Sequence, residues 1–101
     1  MSSNIETLAN LLDEAEALLR SYEQTHWADW LAKDAERIRS HDRYGIEHLL
    51  YAYGGMGSLN DVVLPWTNGT GVKMGSNDNQ RFDRLRSEIY DLAKMCRSAA
   101  F

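Results

Sequence analysis

Apolar residues recur at helical spacing through the first fifth of the chain: Ile5, Leu8, Leu11, Leu12, Ala15, Leu18, Leu19 and Tyr22 fall on one stripe. Glu6, Asn10, Asp13, Glu14 and Ala17 lie opposite, with Glu16 and Arg20 at the margin. Ser2, Ser3 or Asn4 can cap the start, and the pattern predicts a helix over residues 4–22. A second helix is expected over 26–40, capped by Thr25, with Trp27, Trp30, Leu31 and Ile38 on one side. His41-Asp-Arg-Tyr-Gly45 breaks that pattern. Asp42 then caps a third helix over 43–53, with Ile46, Leu49, Leu50 and Tyr53 facing inward and Glu47, His48 and Tyr51 pointing more outward. The last helix is expected over 78–98, opened by the box Asn77-Asp-Asn-Gln80. Phe82, Leu85, Ile89, Leu92, Ala93 and Cys96 keep its stripe, and Arg81, Arg84, Arg86, Lys94 and Arg97 make it basic. Such a helix suits a place beside the acidic first one.

Between the third and fourth helices the pattern stops at Tyr53-Gly-Gly-Met-Gly-Ser-Leu-Asn-Asp61. Gly54 stands where a C-cap glycine belongs, and Gly55 and Gly57 permit a tight reversal. Ser58, with Asp61 three residues later, can start a short helical turn, and Asn60 and Asp61 can bond back to the loop's amides. A glycine loop before a helix start can cradle an anion. The phosphate loop needs a Gly-Lys-Ser/Thr ending and the dinucleotide fingerprint a preceding strand; neither is present, and no lysine or arginine lies between Arg43 and Lys73. The stretch therefore reads as a close-packed structural turn.

After it, Val62-Val-Leu favours strand and Asn68-Gly69 is a strong hairpin signal. Two strands are expected, over 62–66 and 70–74, with Pro65 on an edge and Trp66 as the anchor. The expected fold class is mainly α: a compact four-helix domain with a small β-hairpin inserted before the last helix.

Length and charge narrow the function classes. The 101 residues make one domain, 1–101. A single cysteine, Cys96, rules out an internal disulfide and a cysteine-based zinc site, and suits a reducing, cytoplasmic setting. The first residues lack a basic segment followed by an apolar run, so no signal peptide is expected, and no stretch approaches a membrane span. The net charge of −4 is unevenly spread: residues 1–36 hold eight acids and two bases, residues 37–101 seven acids and nine bases. That balance argues against nucleic acid and admits a basic protein partner.

Candidate chemistry is sparse. Asp34 falls in the middle of the apolar side of the second helix, with Arg37 and His41 at its edge. A carboxylate there must be paired or hydrogen-bonded. Two readings stay open: Asp34 accepts glycine-loop amides or pairs with an arginine, or it is an acid or base in a cleft with His41. His26, His41 and His48 show no i, i+4 pair, so no metal and no cofactor is expected.

Gly-Gly-Met-Gly-Ser-Leu-Asn-Asp, preceded by Trp27, Asp34, Asp42 and Gly45, resembles the signature of a small uncharacterised bacterial domain family of about this chain length. The resemblance covers most of residues 26–92. It transfers no catalytic role, and by analogy such families partner secreted bacterial toxins. The expected function is a cytoplasmic immunity protein that occludes a basic toxin domain. Glu6, Asp13, Glu14 and Glu16 would be the contact residues, on a monomer or weak dimer. The alternative is a small enzyme or ligand-binding domain at Asp34, His41 and the 54–61 loop.

Overall fold

Four α-helices and one short 3-10 turn follow one another along the chain: α1 (Asn4–Ser21), α2 (Thr25–Arg39), α3 (Arg43–Tyr51), the turn (Leu59–Asp61) and α4 (Ser76–Ser98). The structure is a computed structural model that describes residues 4–54, 58–62 and 76–98. Helix α1 packs on α2 and α4, and α3 packs on the same two, so each helix has two neighbours in an up-down-up-down bundle. The cross-links give the directions. Tyr22 at the end of α1 donates to Asp78 at the start of α4, and Arg43 at the start of α3 reaches the Arg97 carbonyl at the end of α4.

The core is what the stripes predict. Leu8, Leu12 and Leu19 of α1, Leu31 and Ile38 of α2, Ile46 and Leu49 of α3, and Phe82 and Ile89 of α4 are all sealed from solvent. Leu59, from the 3-10 turn, joins them. Trp27 and Trp30 pack against this core while staying half-buried.

Both short connections are built on a left-handed residue that is not glycine. After α1, Glu23 takes φ 62°, its amide bonds the Arg20 carbonyl and the Gln24 amide bonds the Leu19 carbonyl. After α2, His41 takes φ 59°, its amide bonds Ile38 and the Asp42 amide bonds Arg37. These paired bonds satisfy the last carbonyls of each helix. Asp42 then caps α3, its carboxylate accepting from the Tyr44 amide at 3.0 Å, as its position predicts. Thr25 lies inside α2 rather than before it; Gln24 holds the cap position and makes no side-chain bond. Asn77 likewise lies inside α4.

The expected β-hairpin is a correction. Among the described residues there is no strand or sheet: the described fold is four α-helices and a 3-10 turn, and no hairpin is part of it. Of the two predicted strands only Val62 is described; residues 63–74 lie outside the described residues. Val62 is extended, and its main-chain groups are engaged away from any strand partner among the described residues. Its amide closes the 3-10 turn on the Leu59 carbonyl at 3.2 Å, and its carbonyl accepts from Arg86 of α4 at 2.8 Å. Both of its main-chain groups are taken by the helical frame.

Helix α3 stops at Tyr51, two residues before its predicted end, with Ala52 still in the right-handed helical region. Gly54 is exposed, and an added Cβ would meet only the Tyr51 carbonyl, at an ordinary 3.5 Å. Gly55 and Gly57 lie outside the described residues. Ser58 opens the 3-10 turn in extended backbone, without a side-chain cap bond. The Leu59 amide returns to the Ala52 carbonyl at 2.7 Å and ties the turn to the end of α3.

Candidate functional site

Trp30, Asp34 and Arg37 share one face of α2 by their i, i+4 and i, i+3 spacing, and Tyr44 and His48 share one face of α3. Gly45 brings the two faces together. A Cβ built there would stand 2.9 Å from the Arg37 Cβ and 3.1 Å from the Ile38 Cγ1, so only a glycine lets α3 lie this close to α2. The approach puts His48 Nδ1 2.6 Å from Asp34 Oδ1, and the Arg37 guanidinium reaches the same oxygen at 3.5 Å. The Trp30 ring stacks on the His48 ring at 4.0 Å and 16°. Arg37 also covers the Tyr44 ring, 5.0 Å from its centroid.

Asp34 has no solvent exposure, whereas the His48 side chain keeps 21% of its own. Burial pushes the Asp34 carboxyl up to about 6, and His48 and Arg37 pull it back toward the usual range. Its second oxygen, Oδ2, is buried with no partner among the described residues, as are Trp30 Nε1 and Ser58 Oγ. Of the two readings left open by the sequence, the pairing one is seen in part. Arg37 is present, and the nearer partner is His48, which the sequence pattern placed outward. His41 lies exposed at the end of α2 and is not the histidine on Asp34. One signal could have found His48: Gly45, His48 and Ala52 are spaced i, i+3 and i+7, and both small residues are buried.

Chemically, an imidazole held at Nδ1 by a carboxylate keeps Nε2 as its other basic position, the arrangement used in acid–base pairs. Here the carboxylate is out of reach of solvent. Among the described residues, no hydroxyl or thiol is hydrogen-bonded to the pair. Cys96 is buried on α4, and burial pushes its thiol up, away from the reactive thiolate. Among the described residues no group of three or more metal-ligating side chains converges.

The acidic residues of α1 occupy the outer surface: Glu6, Asp13 and Glu14 are exposed, and Glu16 is half-buried. Arg39 of α2 grips Asp13 with two bonds, at 2.6 and 3.1 Å, and also reaches Asn10. Glu6 contributes a smaller share of the field on Arg39. Glu14 pairs with Arg81 of α4 at 3.0 Å, and Glu16 with Arg20 at 2.7 Å. The basic character of α4 is thus partly spent on α1. Its Arg86 does different work. Its Nη1 donates to three carbonyls of the 3-10 turn, Leu59, Asn60 and Val62, at 2.8 to 3.0 Å. The guanidinium also bonds Asp83 and lies 4.6 Å over the Phe82 ring. Asn60 is exposed, and the Asp61 side chain lies outside the described residues.

No helix among the described residues is long and apolar enough to cross a membrane. A family model described as "Domain of unknown function (DUF6966)" matches residues 20–73, more than half of the chain, and the chain belongs to that family. The matched span contains Asp34, His48 and the glycine-rich stretch. No curated protein and no solved structure matches the chain.

Proposed function

We propose that this member of the DUF6966 family is a small protein-binding domain of the cytoplasm, and more narrowly an immunity protein that neutralises a basic bacterial toxin domain by occlusion. One observation carries the reading: the carboxylates of α1 sit on the outer surface, while the residues best suited to chemistry are turned inward onto each other. The pairs Asp13–Arg39 and Glu14–Arg81 are largely exposed. Exposed pairs are each worth about 0–1 kcal/mol, so exchange of their arginines for a partner's basic groups costs little. The net charge of −4 speeds the encounter and excludes acidic partners, nucleic acid among them. Blocking by coverage needs no reacting group, which fits the absence of a bonded nucleophile among the described residues.

Co-expression with the product of the adjacent reading frame tests the proposal. That product alone arrests growth, and the intact chain restores it. A product that is harmless alone, or one that still kills with the intact chain present, overturns the toxin-partner reading.

A further inference from the structure

We infer that helix α3 carries the anchor of this partner complex, a seat for one guanidinium group formed by Glu47 and Tyr51, with Tyr44, already covered by Arg37, at its edge. The inference rests on the protein-binding reading above and names the side chain that the partner inserts. Tyr44, Glu47 and Tyr51 are spaced i, i+3 and i+7, so they form one line on the solvent side of α3. Tyr44 is 53% and Tyr51 73% exposed, large aromatic surfaces left in water on a nine-residue helix. Tyrosine is enriched among residues that carry binding energy, because it offers much contact area with few rotors to freeze.

Charge selects the occupant. The acids of α1 already hold arginines, but Glu47 is half-buried and has no ion-pair partner among the described residues. The molecule shows what its tyrosines accept: Arg37 lies over Tyr44 and Lys94 over Tyr90, at 5.0 and 5.1 Å. Tyr51 has no ring partner among the described residues. A guanidinium above Tyr51 gains the ring's negative face and stays within reach of the Glu47 carboxylate, one helical turn away. An acidic partner side chain would meet Glu47 and be repelled. The strip is also rigid beforehand. Asp34 and Trp30 fix His48 beside it, and Gly45 locks α3 onto α2. A stiff, pre-formed seat loses little entropy on binding.

Titration calorimetry of the intact chain and the Tyr51→Ala and Glu47→Gln variants against the purified adjacent-frame product tests this, with circular dichroism to check folding. Both side chains lie on the solvent face of α3, so both variants fold. Each weakens binding about 5- to 30-fold, and Tyr51→Phe, which keeps the ring, stays within about threefold of the intact chain. If the intact chain binds and both variants bind equally well, the seat is wrong and the protein-binding reading stands. If the intact chain itself does not bind, the underlying reading has failed. Light scattering adds one outcome: a dimer of this chain that Tyr51→Ala dissociates means a second copy fills the strip, and it overturns the proposal.

Discussion

His48 Nδ1 meets Asp34 Oδ1 at 2.6 Å across the contact between α3 and α2, on a carboxylate with no solvent exposure. Removing the imidazole leaves that carboxylate with only the longer contact to Arg37. His48→Ala is therefore expected to cost about 3 kcal/mol near pH 8, where the carboxylate is ionised, and less near pH 4, where it is protonated. Urea unfolding at the two pH values measures the difference.

The same carboxyl sets a pH dependence. Its folded value of about 6 stands above the ordinary 3.8, with burial as the cause. The folded state thus binds this proton more tightly than the unfolded chain does. Asp34's contribution to stability is full below about pH 4 and is lost as the pH rises through about 6. The loss is roughly 2–3 kcal/mol. Asp34→Asn keeps an oxygen to accept from His48 and has nothing to titrate. Its stability profile between pH 4 and 6 should be flatter than that of the intact chain.

Arg86 fastens the 3-10 turn to α4 through three carbonyls, with 13% of its side chain exposed. Arg86→Ala leaves those carbonyls to find water at the edge of the core and should cost about 2–3 kcal/mol. Lysine has a single charged nitrogen and should recover only part of this. The urea midpoints of the two variants test the order.

At Gly45 the added methyl of alanine would press on the Arg37 Cβ at 2.9 Å. That neighbour is the base of a helix side chain and cannot swing away. Gly45→Ala should cost about 1–3 kcal/mol, although alanine is the better helix former. Its amide exchange should rise in α2 and α3 together.

Glu23 gives a prediction of the opposite sign. Its φ of 62° is strained for a side chain with a Cβ. Glu23→Gly should stabilise by about 0.5–1 kcal/mol after the flexibility of glycine is counted. A rise of a few degrees in Tm reports it, and a fall contradicts it.

The helices were legible because each has a one-sided apolar stripe, and Leu8 through Cys96 fill the core as the spacing predicts. Asp42 was legible as a cap because a short acid before an apolar run has one use. Asp34 was marked out as a carboxylate on an apolar face, but its partner was not. His48 comes from another helix, and only the closeness permitted by Gly45 turns it inward. The short chain reversals were not legible for a related reason: Glu23 and His41 adopt left-handed backbone although neither is a glycine, because the surrounding amide–carbonyl bonds hold them there. The role of Arg86 was hidden because a basic residue on a basic helix looks like surface charge. The hairpin expectation rested on local preferences at Val62-Val-Leu64 and Asn68-Gly69; of these only Val62 lies among the described residues, and its amide and carbonyl are claimed by the turn and by Arg86.

The most direct test compares two variants in one binding titration against the adjacent-frame product: Asp34→Asn, inside the bundle, and the double charge reversal Asp13→Lys, Glu14→Lys, on the outer face of α1. The account predicts that Asp34→Asn binds like the intact chain, whereas the reversal weakens binding at least tenfold, with the loss shrinking as salt rises. Equal binding by the charge-reversed protein, together with loss of binding on Asp34→Asn, would contradict it.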